Sequence, residues 1–392
     1  MSTSLRTDRN VPYYAVTAVL TIGYGSVFTL LAEWRERFGF TETELGLIAS
    51  AGFFAGFAAQ VGLAPLADRG KTPQMIRGGV ALAAVGMFGM VLANALWAFV
   101  LSRVVFGLST GAVAPAMRRL IITRDPDNLG ANLGRLAAFD LAGFVLGPVV
   151  AAVLVELGGI RLPFLALTTA NACLLSWVAR LDLDTPPGDG TKRRTGPLLR
   201  VPGIQAALLA GIAFYLSIAY FEATWALLLD DLGAETWVIG VSLSVFTLPM
   251  VLLAPTGGRV TQRLGHSAVV GWSIAAASVC TLLYGWLGSL WAVLLVSFVH
   301  ASADAFTLPA NQVAIAQASP PEQIAAAQGL FSAVGTLVSG VAAFAAGALY
   351  ENQGPKVLYT AAAAGMVVFL AASLGRSRSS PEPVPFTTSA GS

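Results

Sequence analysis

Few ionisable residues interrupt the long apolar runs of this sequence, and those few have types and spacings suited to handling a proton. His300 and Asp304 stand four residues apart, one turn on a helix, so they share a face, and Thr307 and Asn311 extend that polar stripe. An imidazole titrates near neutrality and exchanges protons with a neighbouring carboxylate. The pair therefore reads either as a proton relay or as a hydrogen-bonded pair lining a substrate cavity. Arg103 and Glu222 each lie inside an apolar run. A charge at such depth costs about 2.5–3.5 kcal/mol on insertion scales, which makes it a functional candidate by default. If the two meet across a cavity, Glu222 takes up a proton and Arg103 stabilises its carboxylate only while they are paired. The alternative is a static gate pair that never titrates. Asp140 is a further carboxylate within a run. It reads either as a coupling group or as part of a cytoplasmic gate with Asp68, Arg69, Arg118 and Arg119. Glu33, Arg35, Glu36 and Arg37 cluster at the outer end of the first run and read as a solvated rim or outer latch.

Aromatic residues suggest what such a proton would move. Thr17, Thr21, Tyr24 and Phe28 recur at helical spacing. With Phe106, Thr110, Tyr215, Trp225, Phe306 and Asn311 they form a candidate cavity wall that binds hydrophobic or cationic compounds by area burial and cation–π contact. The competing reading is core or lipid-facing packing. Trp97, Trp286 and Trp291 fall near predicted outer ends and read as interfacial anchors.

The elements that must position these groups are transmembrane helices. The 392 residues are 56% hydrophobic and only 11% charged, with a mean hydropathy of +0.72. A soluble domain carries roughly 25% charged residues. Runs of about 20 apolar residues recur, each able to cross a hydrocarbon core, where unpaired backbone amides exclude anything but helices or closed barrels. Twelve spans are expected: Val11–Leu31, Leu45–Pro65, Met75–Ala95, Trp97–Met117, Arg135–Glu156, Arg161–Arg180, Pro202–Leu229, Trp237–Pro255, Ser267–Leu287, Leu290–Ala310, Ile324–Tyr350 and Val357–Leu374. Of the 23 Lys and Arg, Arg103 lies within a span, Arg35, Arg37, Arg161 and Lys356 fall on the predicted outer side, and all others fall on the cytoplasmic side. By the positive-inside rule both termini are cytoplasmic. The net charge of +2 is thus a topology signal and gives no reason to expect nucleic acid. Cys173 and Cys280 lie in different halves, so neither a disulfide nor a metal site is expected. Met1–Asn10 runs straight into a full-length span, and no cleavable signal peptide is expected.

The chain reads as a duplication. Residues 1–180 form one six-helix bundle and 202–376 a second, joined by a Pro-, Gly- and charge-rich linker at 181–201 and followed by a disordered cytoplasmic tail at 377–392. A short basic turn follows the second span of each half. It reads Leu66-Ala67-Asp68-Arg69-Gly70-Lys71 in the first and Gly258-Arg259-Val260-Thr261-Gln262-Arg263-Leu264-Gly265-His266 in the second. Duplicated bundles of this kind are typical of secondary transporters.

These turns carry a resemblance to the major facilitator superfamily over nearly the whole chain. The family's loop between helices 2 and 3 reads Gly-x-Leu-Ala-Asp-Arg-x-Gly-Arg. Leu66, Ala67, Asp68 and Arg69 match it, Ala64 replaces the leading Gly, and one residue is missing before Gly70-Lys71. The second copy keeps Gly258, Arg263 and Gly265, with Gln262 where the family's first copy has Asp. Arg103-x-x-x-Gly107-x-x-x-Gly111 resembles the family's helix-4 motif. Gly143-x-x-x-Gly147-Pro148-x-x-Ala151-Ala152 is similar to its helix-5 antiporter motif, with Ala for the last two Gly. The resemblance, strongest to the drug/proton antiporter branch, implies a cavity between helices 1, 4, 7 and 10 and two halves that rock about it. It also implies that Asp68 faces the N-terminus of helix 11 in a cytoplasmic gate.

The expected function is a proton-coupled antiporter in the cytoplasmic membrane that exports hydrophobic or amphipathic molecules. The resemblance implies a monomer, and the gradient needs no cofactor, although carboxylates near the midplane are also compatible with sodium. A lipid or glycolipid flippase and a metabolite importer are the alternatives within transport, and a membrane sensor or assembly partner is the alternative outside it. A sugar symporter would show more Asn, Gln and Trp on its cavity faces. No phosphate loop or nucleophile elbow appears, which argues against an enzyme and against ATP as energy source.

Overall fold

The computed structural model describes residues 10–183 and 195–378. Arg6 and Arg9, the centre of the expected linker and the tail beyond Arg378 lie outside the described residues, as do the side chains of Phe28, Glu36 and Glu222. Among the described residues every long element is a helix and no strand occurs. The helices are α1 Val11–Phe38, α2 Glu42–Gly62, α3 Thr72–Leu92, α4 Leu96–Arg124, α5 Leu129–Gly158, α6 Leu162–Val178, α7 Pro202–Asp231, α8 Thr236–Leu264, α9 His266–Tyr284 and α10 Leu290–Ala318. The last stretch, Ile324–Ser377, is broken at Gly354 (φ 78°, ψ 175°) ahead of Pro355. This gives α11 (324–353) and α12 (355–377). The result is the expected all-α polytopic fold.

Among the described residues, seven stretches are long and apolar enough to cross a membrane. Two of them, Glu44–Leu92 and Pro321–Ser377, hold two helices each. Most helices outrun the apolar window that revealed them. The helical hydrogen-bond ladder continues past the apolar run until a residue stops it. Gly39 at φ 69° ends α1, and Thr41 with Glu44 then starts α2 through a reciprocal capping box. The duplicated turns obey the same logic. Gly70 sits at φ 81° and Gly265 at φ 83°, left-handed conformations that strain any side chain. In the first copy Ala67–Lys71 forms a single wide π-type turn that folds Asp68 inward.

The helices divide into two compact units, Met1–Arg124 with Phe139–Lys192, and Asp125–Ala138 with Arg193–Ser392. Within the first, α4 lies along α2 and α3, and α3 lies on α6. Within the second, α10 lies along α8 and α9, and α9 packs on the α11–α12 stretch. The pairing pattern is therefore repeated.

Glycines set the closest approaches. A Cβ on Gly107 would lie 2.2 Å from the Gly52 carbonyl oxygen, and one on Gly111 would lie 2.4 Å from that of Gly56. Both put the α4 backbone directly on α2. Gly143 and Gly147 do the same for α5 on α1. Their Cβ positions fall 2.5 Å from the carbonyl oxygens of Ala18 and Ile22 respectively, and Ser26 donates to the Gly147 carbonyl at 2.9 Å. Pro148 continues this seam, its ring facing Gly25. The first turns of α5 belong to the second unit, where Gly130 meets Gly258 backbone to backbone.

Candidate coupling and substrate site

The polar stripe on α10 is folded into its own bundle. His300 and Asp304 are both buried, with Nε2 and Oδ2 3.5 Å apart. Tyr284 of α9 reaches His300 Nδ1 at 3.0 Å, and Ser217 of α7 reaches Nε2 at 2.9 Å. A neutral imidazole has one donor and one acceptor nitrogen, so two hydroxyls satisfy it in either tautomer. The network continues through Ser217 to the Tyr220 hydroxyl at 3.4 Å, which also bonds Thr281. Nearby, Thr224 meets the Tyr359 hydroxyl at 3.1 Å. Phe246 closes one side, its ring edge-on to His300 at 5.8 Å. Asp304 Oδ2 has no hydrogen-bond partner among the described residues. No Lys or Arg enters the bonds of this cluster there. The rest of the stripe zips α10 to α9: Thr307 donates to Ser273 at 2.9 Å, and Asn311 meets His266 at 2.8 Å. Asn311 is thus buried against the start of α9, with its Oδ1 engaged there.

In the first unit, Arg103 is completely buried. It donates from Nε to the Ile48 carbonyl and from Nη2 to the Ala49 carbonyl, both at 3.4 Å, and its guanidinium lies 4.9 Å from the centre of the Tyr24 ring. Gly52 makes room for it, since a Cβ there would fall 2.7 Å from Nη2. Nη1 has no partner. The carboxylate expected opposite Arg103, Glu222, has its side chain outside the described residues.

The candidate wall residues divide between the units. Tyr24 meets Phe53 edge-on at 5.4 Å and lies tilted against Phe106 at 6.2 Å, and Thr110 bonds the Gly107 carbonyl one turn back. In the second unit Tyr215 packs against Phe331, and Phe306 packs against Trp272. Trp225 donates to Ser242 at 2.8 Å and stacks on Phe221. Phe106 and Trp225 are buried, whereas Tyr24, Tyr215 and Phe306 keep part of their surface.

The charged turn between α2 and α3 closes on α4. Asp68 accepts from Arg119 at 3.0 Å with both side chains buried. Arg69 is half-buried and Lys71 exposed. Asp140, half-buried on α5, feels the charge of Arg118 on α4. In the second copy Gln262 accepts from the Gly130 amide at 2.8 Å and donates to the Asp127 carbonyl at 3.2 Å, capping the start of α5. Arg263, beside it, is exposed.

The sequence reading found the α10 pair but missed its partners. Ser217, Tyr220 and Thr224 recur at i, i+3 and i+7, and Thr281 and Tyr284 at i and i+3. Those polar stripes on apolar helices were the available signal.

The described residues form an α-helical bundle of membrane-spanning character with an internal repeat and buried ionisable groups. The chain belongs to the Major Facilitator Superfamily, which it matches over residues 13–224 and 206–391. It is 26% identical over 306 residues to the quinolone resistance protein NorA of Staphylococcus aureus (strain MSSA476), spanning 72% of this chain and 74% of that protein. It is also 26% identical over 288 residues to the multidrug resistance protein MdtG of Citrobacter koseri, spanning 68% of each. Among solved structures it shares its fold with the outward conformation of FucP, with a TM-score of 0.74 at 15% identity over 93% of this chain and 99% of that one. The human organic anion transporter MFSD10 superposes with a TM-score of 0.71 at 16% identity, over 94% and 100%. As a member of this family the chain is a transporter, not an enzyme.

Proposed function

We propose that this transporter exports hydrophobic or amphipathic small molecules in exchange for protons, with Asp304 as a proton-carrying group and His300 as its partner. The observation that carries the reading is their joint burial with no Lys or Arg bonded to the cluster among the described residues. An ionised carboxylate in such surroundings is costly, whereas a carboxyl and a neutral imidazole held by hydroxyls are not. Protonation of Asp304 thus favours the enclosed state, and ionisation favours a state in which water reaches it. That difference is what a gradient needs in order to drive a conformational cycle. The similarity to two drug-resistance proteins supports export of amphipathic compounds. Tyr24, Tyr215 and Phe306, still partly exposed, are the aromatic surfaces offered to such a substrate, with Glu222 a second carboxylate for coupling. Asp140, with Arg118 beside it, suits a gate. In this reading the two six-helix halves, 1–180 and 202–376, rock as units in the cytoplasmic membrane. Both termini lie inside, as the Lys and Arg distribution favours.

The test is transport in proteoliposomes with an imposed pH gradient, following lumenal pH while amphipathic compounds are added. Wild type should discharge the gradient with at least one compound, and Asp304→Asn should not, with Glu222→Gln run beside it. A wild type that moves labelled lipid or a polar metabolite without protons would overturn the antiport reading. So would an Asp304→Asn variant that couples normally.

A further inference from the structure

The hydroxyls around His300 continue beyond its cluster toward one end of the second unit. Along α7, Ser217, Tyr220, Thr224 and Asp231 fall at i, i+3, i+7 and i+14, which is one face of a helix. That face runs about 21 Å, from mid-helix to the exposed end of α7. Asp231 is exposed and Tyr350 partly so, whereas Tyr359, Thr224, Tyr220 and Tyr284 are all buried. The contacts step inward in order. Tyr350 donates to Asp231 Oδ2. Tyr350 is close enough to Tyr359 for the two phenols to interact electrostatically. The Tyr359 hydroxyl bonds Thr224 at 3.1 Å, and its ring lies 5.7 Å from that of Tyr284. The Tyr284 phenol interacts electrostatically with that of Tyr359 and meets His300 Nδ1 at 3.0 Å. Phe or Val at these places would pack without needing a polar partner, so bundle stability alone does not account for the run of hydroxyls. Asp231 stands in the last turn of α7, where the helix dipole disfavours a carboxylate, so helix stability does not account for it either.

From this arrangement we infer that the second unit carries a proton path from Asp231 to His300, with Tyr350, Tyr359 and Tyr284 as its steps. The inference supplies a route for the coupling reading above and rests on it for Asp304 as the proton's destination. A proton from water first arrives on the Asp231 carboxylate. Each phenol oxygen then takes a proton from its outer neighbour while its own hydrogen passes to the inner one, so no phenol changes its net charge. At the inner end His300 Nδ1 takes a proton from Tyr284 as Nε2 releases one to Asp304 Oδ2, and that carboxylate becomes a carboxyl. One proton enters and one is stored. Two steps, Tyr350 to Tyr359 and Tyr359 to Tyr284, cross phenol contacts that are not hydrogen bonds among the described residues. Tyr359 belongs to both, so it limits the rate.

Infrared spectroscopy of the purified full-length protein in detergent tests the path without transport. A buried carboxyl gives a C=O band that shifts down when its proton exchanges for deuterium, and Asp304→Asn identifies the band by removing it. After a switch into heavy water, Tyr359→Phe should slow the shift of this band about tenfold, the effect of one lost hydrogen-bonding group on a rate. Tyr350→Phe should slow it less. Thr307→Val, on the helix of Asp304 but off the path, should leave the rate unchanged. Melting temperature shows that each variant is folded. If Tyr359→Phe does not fold, Tyr350→Phe and Asp231→Asn at the exposed end decide, and an unchanged rate in both counts against the path. Equal rates in wild type and Tyr359→Phe overturn it, because protons then reach the pair by opening of the bundle. Equal slowing by Thr307→Val also overturns it, because packing then sets the rate. If Asp304→Asn removes no band, the proton-pair reading falls and the path with it. If the band is present and its exchange ignores every path variant, the path alone falls.

Discussion

Helices α4 and α10 hold equivalent places in the two halves, yet they bury opposite chemistry. On α4 the buried group is a permanent cation, Arg103, held by backbone carbonyls and an aromatic face. On α10 it is a carboxyl–imidazole pair, His300 and Asp304, held by side-chain hydroxyls from α7 and α9. The duplicated turns differ in the same sense. The first is latched by a buried ion pair, Asp68–Arg119, and the second by a neutral amide, Gln262, on the first turn of α5. One half carries fixed charge, and the other carries groups that can become neutral.

The sharpest way to break this comparison is at the latches. Asp68→Ala takes the ionic partner from a buried guanidinium, which costs about 3–5 kcal/mol. Gln262→Ala removes neutral hydrogen bonds and should cost about 1 kcal/mol. Thermal unfolding followed by size-exclusion chromatography measures both. Equal losses would mean that the first latch does not depend on charge.

Helix contacts come next. Gly107→Val puts a side chain where only 2.2 Å separates the ideal Cβ from the Gly52 oxygen. The α4–α2 backbone contact cannot yield locally, so the overpacking cost falls at about 1–3 kcal/mol. The matching seam of the second half, Gly257 on α8, leaves 2.7 Å to the Ala305 oxygen. Gly257→Ala should therefore be the milder change in the same thermal assay.

The two halves were also unequally legible in the sequence. The His300–Asp304 pair was readable because both members lie on one helix, where spacing alone fixes a shared face. Their partners Ser217 and Tyr284 come from other helices, and which stripes meet depends on helix rotation, which single-sequence periodicity does not supply. Arg103 was visible as a charge in an apolar run. Its environment was not, because its partners are backbone carbonyls that any sequence provides, and only Gly52 leaves a trace. Asn311 shows a further limit. Its partner His266 was assigned to a loop, and helix α9 in fact begins at that residue, one helix away in space. The twelve-helix pattern needed no such detail, since apolar length and charge asymmetry carry it.

Within α10, two hydroxyl contacts separate a polar group that serves chemistry from one that serves packing. Tyr284→Phe removes the bond to His300 Nδ1 and leaves a buried ring nitrogen unsatisfied, a loss of about 1–3 kcal/mol. Because that nitrogen belongs to the proposed proton pair, the variant should also shift the pH dependence of compound-driven proton flux.

Thr307→Val removes the bond to Ser273 at 2.9 Å, two turns further along the same helix. The Ser273 hydroxyl then lacks this donor, and stability should fall by about 1 kcal/mol. The pH profile should not move, because neither hydroxyl bonds His300 or Asp304. Measuring melting temperature and pH profile on both variants separates the two roles. A profile shifted equally by Thr307→Val would mean that the whole α9–α10 seam, and not the His300–Asp304 pair, sets the proton response.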